Sequence, residues 1–231
     1  MKIIKFLLML GLATNFTFAQ VDCRTFVPTE KGTKWVYSNY KGKNDKFEGK
    51  IEYEVLDKVV DGNDVTFKIG TTTFDKKNKE LFNSSYEAKC VDGIFELDMA
   101  FKMDGGQLAA YKDMNVDIDA SDFELPDLDA TPGTTLEDGS LTVRVAAAGG
   151  LNINMTVNIT ERKVEGREQL TTPAGTFDCI VILQKVSTKM LLKTVGYSKE
   201  WYAEGIGLVK SESFNKNMKL LVWGQITSLS L

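Results

Sequence analysis

The chain has no histidine among its 231 residues. That absence removes every Ser-His-Asp and Cys-His nucleophile system and the commonest nitrogen ligand of zinc. The only cysteines are Cys23, Cys90 and Cys179, too few for a zinc site built from four thiolates. The 28 basic residues are outnumbered by 32 acidic ones, and the formal net charge is −4. That balance argues against a nucleic-acid groove, which needs a clustered positive field. It also argues against a polybasic membrane patch. Long apolar runs are missing beyond the first residues, so no later stretch is long enough to span a bilayer as a helix. What the chain does have is 43% hydrophobic residues, enough to build a core and to exclude global disorder.

The N-terminus reads as an address. Met1 to Lys5 is a short positive region, Phe6 to Leu12 is apolar, and Thr17 and Ala19 place small residues at −3 and −1 of a cleavage site. Residues 1–19 are therefore expected to be a secretory signal peptide, with residues 20–231 forming a single β domain. Without Lys2 and Lys5 the mature chain carries 26 basic against 32 acidic residues, a balance of −6. Lipidation at Cys23 is the rival reading. It wants an aliphatic residue at −3 and a small one at −1, and it finds Gln20 and Asp22. The expected location is exported: periplasmic, outer-membrane-associated or secreted. Export permits disulfides, so one pair among Cys23, Cys90 and Cys179 is expected at most. The alternative is that all three are buried as small apolar side chains.

From Gly32 onward the chain alternates. Ile51, Tyr53 and Val55 oppose Glu52, Glu54 and Leu56; Val65, Phe67 and Ile69 oppose Thr66 and Lys68. Asp61-Gly62-Asn63-Asp64 and Asp92-Gly93 carry hairpin-turn chemistry. The long run Leu151 to Thr160 has one apolar and one neutral polar face, which suits a sheet with one side on a core. Glu165-Gly166 reads as a turn, Asp122 to Gly139 as a loop, and Asp104 to Met114 as the one short helix candidate. Roughly a dozen strands at hairpin spacing cannot stay flat. The expected fold is all-β: a strongly curved antiparallel sheet forming a half or complete barrel. A two-sheet sandwich is second.

Two motifs stand out in the last third. They are Thr172-Pro-Ala-Gly-Thr-Phe-Asp-Cys179 and Trp201-Tyr-Ala-Glu-Gly-Ile-Gly-Leu-Val-Lys-Ser-Glu212. With Glu30-Lys-Gly-Thr-Lys-Trp-Val-Tyr37, Lys89-Cys-Val-Asp-Gly93 and the stretch from Met155 to Gly166, the chain resembles the TapB family, exported bacterial proteins built on a domain of unknown function. The resemblance implies an envelope β-protein related in shape to curved-sheet carriers such as the lipoprotein-sorting chaperones. It implies no catalytic residues.

Candidate sites are weighed against plainer roles. Gly205-Ile-Gly207 lacks the third glycine of a dinucleotide fingerprint and runs into a strand, so a turn or bulge is the better reading. The acidic stretch from Asp113 to Asp129 suggests calcium. An EF-hand register from Asp117 fails, however, because it puts Asp122 at the glycine position and Leu128 at the closing Glu position, and a solvated acidic edge is preferred. A hydrolase's paired carboxylates can come from distant strands; Asp98 and Glu200 sit on strands, yet nothing singles them out, and exposed strand charges are the simpler account. Trp35, Tyr37, Tyr53, Phe67, Met155, Tyr197 and Trp201 could line an apolar trough inside a curled sheet, or they could simply pack the core. The functional expectation is a non-enzymatic envelope protein, without cofactor or metal, that binds a lipid or other amphiphile. The alternatives are an assembly protein meeting another envelope protein through a sheet face or edge and, remotely, a carboxylate hydrolase.

Overall fold

A computed structural model describes residues 24–102, 115–146 and 152–230. The signal-peptide stretch, Cys23 and the helix candidate Asp104–Met114 lie outside the described residues. Thirteen strands follow in chain order: β1 (Lys34–Lys41), β2 (Lys46–Asp61), β3 (Asp64–Asp75), β4 (Glu80–Val91), β5 (Ile94–Asp98), β6 (Asn115–Ala120), β7 (Asp122–Glu124), β8 (Gly139–Ala146), β9 (Asn152–Thr172), β10 (Gly175–Lys189), β11 (Lys193–Ala203), β12 (Gly207–Asn215) and β13 (Leu220–Ser230). The helical turns among the described residues are two short 3-10 pieces, Gly42–Asn44 and Met99–Lys102.

All thirteen strands belong to one sheet, in the order β6-β8-β9-β10-β11-β12-β13-β1-β2-β3-β4-β5-β7. The two outermost strands, β6 and β7, are consecutive in the chain, with Ser121 alone between them. Ser121 joins both sides of the seam. Its N–H donates to the carbonyl of Ser140 at 2.9 Å, and its own carbonyl accepts from the N–H of Met99 at 3.3 Å. The sheet is therefore a nearly closed antiparallel barrel, not a sandwich. β6 and β7 share one line around the wall. About twelve strand spacings of ~4.8 Å, tilted by ~40°, give a backbone diameter of roughly 24 Å. That is wider than the eight-stranded barrels whose wall side chains fill the middle unaided.

At one end the filling comes from two crossing segments. Residues 24–33 run from the β11–β12 turn, where Gly205 N–H donates to Thr25 O at 2.7 Å, to β2, where Val55 N–H donates to Thr33 O at 3.0 Å. This segment presses Phe26 edge-on to Tyr202 (ring centroids 6.0 Å apart) and against Phe95 (5.8 Å). Residues 125–136 cross from β5 to β9. Leu125 N–H donates to Phe95 O, Gly133 N–H to Val164 O and Leu136 N–H to Arg162 O. Leu125 and Leu128 are buried. The stretch expected to be a loop thus contains β7 and an isolated bridge, Thr135 to Lys163.

Local chemistry explains most strand boundaries. Asp92 and Gly93 both take positive φ, +52° and +84°, as a two-residue hairpin turn of the kind favoured by right-handed sheet twist requires. Glu165-Gly166 is not a turn. β9 continues through it, with Val164 opposite Ile182 and Gly166 opposite Val181, so Glu165 is the extra residue of a bulge. The long β9–β10 hairpin continues to its turn at Pro173 and Ala174.

Candidate functional site

Strand alternation decides which side chains face the interior. Cross-strand pairing aligns Tyr53 with Thr71, Ile69 with Tyr86, Ile182 with Glu200, and Glu200 with Ser211. These positions form the inner wall. Around its middle runs a polar band. Tyr37 Oη donates to Ser211 Oγ at 2.7 Å, and Tyr202 Oη to Glu200 Oε2 at 2.7 Å. Gln184 Nε2 donates to Ser198 Oγ at 2.9 Å, and Arg162 Nε to Gln184 Oε1 at 3.3 Å. The Tyr37 phenol lies directly over Gly224, where an added Cβ would collide with its ring. Burial pushes the phenols of Tyr37, Tyr53, Tyr86 and Tyr202 well above the ordinary tyrosine range, so they stay neutral donors. No buried side-chain polar atom among the described residues lacks a hydrogen-bond partner. The band is therefore a satisfied hydrogen-bond network.

Arg162 is the most deeply placed charge, 1% exposed. Its other two hydrogen bonds go to the carbonyls of Glu137 (2.5 Å) and Glu124 (2.6 Å), and its guanidinium lies 3.6 Å from the Phe123 ring centre. It fastens the crossing segment to β9. Desolvation lowers its pKa from the ordinary arginine value.

Toward the opposite end the interior changes character. Phe67, Val55, Ile69 and Tyr86 are buried, whereas Ile51, Thr71, Phe82, Met155 and Val157 on the same inner face are only half-buried. The barrel is thus packed at one end, and toward the other the inner wall is partly accessible and mixed, with Ile51, Phe82, Met155 and Val157 beside Thr71 and Ser84, which hydrogen-bond each other at 2.8 Å. Of the expected lining residues, Trp35, Tyr37 and Phe67 face inward but are buried in the core, while Tyr53 and Met155 face inward and are half-buried. Trp35 stacks on Tyr53 with centroids 5.0 Å apart. Tyr197 and Trp201 do not face inward. They alternate with Ser198, Glu200 and Tyr202, so they point outward. Trp201 is buried there because the β9–β10 hairpin curls over the outer wall: its Nε1 donates to Glu168 Oε2 at 2.8 Å, and Lys199 and Lys210 sit over its ring at 4.9 and 4.7 Å. A shallow outer groove of about 380 Å³ lies beside that hairpin, between Leu170 and Trp223.

The other candidates resolve simply. Asp98 follows inward-facing Leu97 and so faces away from the interior that holds Glu200; the two do not converge. Asp117 and Asp119 clamp Arg144 at 2.9 and 3.2 Å on the outside of β6 and β8. Among the described residues no three His, Cys, Asp or Glu side chains gather as a metal site would need. Cys90 is disulfide-bonded. Cys179 is a free thiol, and burial pushes its pKa up to about 12.

One feature was hidden in the linear order of residues. The turns at the accessible end carry exposed lysines: Lys41 and Lys46 between β1 and β2; Lys76, Lys77 and Lys79 between β3 and β4; Lys189 and Lys193 between β10 and β11; Lys216 and Lys219 between β12 and β13. The turns at the sealed end, residues 61–64, 91–94, 172–175 and 203–207, hold Asp61, Asp64, Asp92 and Glu204 and no lysine. The same end also holds Asp45 and Asp75, so the lysines there are an excess and not a pure field, and the chain's net charge does not show where they gather.

Two solved structures share the fold. One is a candidate lipoprotein from Parabacteroides distasonis, 23% identical, with a TM-score of 0.79 over 90% of this chain and 100% of that one. The other is a candidate exported protein with a YmcC-like fold from Bacteroides fragilis, also 23% identical, with a TM-score of 0.77 over 90% and 100%. No curated protein sequence gives a significant match. The DUF3108-like family model matches residues 30–223, which takes in every strand from β1 to β12 and the start of β13. A barrel wall legible from end to end in one family pattern assigns this chain: it belongs to the DUF3108-like family.

Proposed function

We propose that this is an exported, non-enzymatic envelope protein that binds an apolar or amphiphilic molecule inside the barrel. One observation carries the reading: the inner wall is packed and sealed at one end, while at the other its apolar side chains, Ile51, Phe82, Met155 and Val157, remain partly accessible. A partly apolar wall reached from one side, with a polar band at its floor, suits a chain-like ligand whose tail enters and whose head stays near the mouth. The signal-peptide pattern of residues 1–19 supports export, as do the exported-protein and lipoprotein descriptions of the two structural neighbours. The finer likeness to the TapB family points the same way. Assembly through a sheet edge is the second reading: among the described residues β4 pairs with β5 only over Ala88 to Val91 and β6 pairs only with β8, so strand edge remains on both sides of the seam.

Native mass spectrometry of protein purified without detergent tests the proposal. A bound amphiphile, released by organic extraction and displaced when Met155 or Val157 is enlarged to tryptophan, is the expected result. Protein of bare polypeptide mass that takes up no fluorescent fatty-acyl probe would refute it.

A further inference from the structure

The accessible end also carries the most exposed apolar residues described. In the β10–β11 turn, Leu191 is 95% and Leu192 81% exposed, with Met190 at 46%. Lys189 and Lys193 flank them and pair with each other across the hairpin. β11 meets β12 last at Gly196 opposite Asn215. Val195, Thr194 and Lys193 then continue beyond that point, so the hairpin runs roughly 10 Å past its last pairing with β12 before it reaches the Met190 to Leu192 tip. That turn adds Met218, half exposed, between Lys216 and Lys219. None of these four lysines is in an ion pair among the described residues.

Two bulky leucines held in water at the tip of a hairpin are unfavourable unless something covers them. Lysines around them select what that is. Apolar side chains ringed by unpaired ammonium groups match an interface with hydrocarbon beneath a layer of negative charge. We propose that this rim is a docking surface for an anionic lipid bilayer: the Met190-Leu191-Leu192 tip enters the acyl boundary and the rim lysines meet the phosphates. Docking this way brings the accessible mouth of the barrel to the membrane and points the acidic, sealed end away. The surface stands apart from the interior wall, so it holds whether or not the barrel carries a ligand.

The test is co-sedimentation of the mature protein with vesicles of phosphatidylcholine alone or mixed with phosphatidylglycerol. Binding to the phosphatidylglycerol vesicles is expected, weakening as salt is raised. The double variant Leu191→Asp/Leu192→Asp should bind at least about tenfold more weakly. Removal of four charges in Lys189→Gln/Lys193→Gln/Lys216→Gln/Lys219→Gln should flatten the salt dependence. Val59→Asp/Val60→Asp changes exposed residues toward the sealed end and should leave binding unchanged. Circular dichroism confirms that each variant is folded. The proposal is overturned if folded wild-type protein ignores both kinds of vesicle, as it would were the tip reserved for a protein partner. It is overturned equally if the leucine variant binds as well as wild type, or if charge-free vesicles bind as tightly as anionic ones.

Discussion

Replacing Arg162 by alanine should be the most damaging single substitution inside the barrel. The side chain is 1% exposed and its three hydrogen-bond partners are neutral oxygens, two of them main-chain carbonyls. A hydrogen bond to a charged group contributes about 1.5–3 kcal/mol, and the two short ones together about 3–6 kcal/mol by the same measure. Truncation also leaves a cavity beside Phe123, a further loss of about 2 kcal/mol. Against this stands relief from burying a guanidinium without a carboxylate in contact, worth several kcal/mol. The balance is a destabilisation of about 3–4 kcal/mol. Arg162→Met keeps the volume and the contact with Phe123 while stranding the same carbonyls, so it should cost about half as much. Urea unfolding followed by tryptophan fluorescence reads both, with the midpoint falling and the slope unchanged. An alanine variant within about 1 kcal/mol of wild type would show that Glu124 and Glu137 do not depend on this side chain, and the idea that Arg162 fastens the seal would fail.

Two further outcomes follow from the outer wall and the thiols. Trp201 and Lys199 hold the Glu168 carboxylate below the ordinary glutamate value of 4.5. Because the folded pKa is the depressed one, the stabilisation is complete above that value and is lost as pH falls through the lower folded pKa. Trp201 fluorescence should therefore change as pH falls below 4.5 and the hairpin loosens, and Glu168→Gln should abolish that step; an identical acid transition in the variant would refute the assignment. Cys90 is in a disulfide and Cys179 is free, which leaves Cys23 as the expected partner by count. Non-reducing peptide mapping should find Cys23 joined to Cys90, a Cys179 that reacts with thiol reagents only after unfolding, and no lipid on Cys23. A lipid-modified Cys23 would contradict the pairing.

The strands are legible in the sequence because period-two alternation and hairpin chemistry are local. Ile51, Tyr53 and Val55 declare an inner face without any knowledge of their neighbours, and Asp92-Gly93 declares its turn. Closure of a long meander is legible too, since a dozen twisted strands cannot remain flat. Glu165-Gly166 misleads because a bulge and a turn use the same residue chemistry, and only the register against Val181 and Ile182 tells them apart. Hydrophobicity places Trp201 and Tyr197 on the wrong face because it does not say which side of a wall is covered; the curl of the β9–β10 hairpin does. Arg162, the polar band and the lysine rim are illegible for a related reason. Their members come from strands and turns far apart in the chain, and only the order in which strands pair around the barrel gathers them. Residue order was enough to dictate an antiparallel wall rolled on itself. Which end is sealed, which side chains face inward and where charge collects emerge only on folding, because each depends on register and closure between strands and segments, from Arg162 and Glu124 to β1 and β13, that no local pattern pairs.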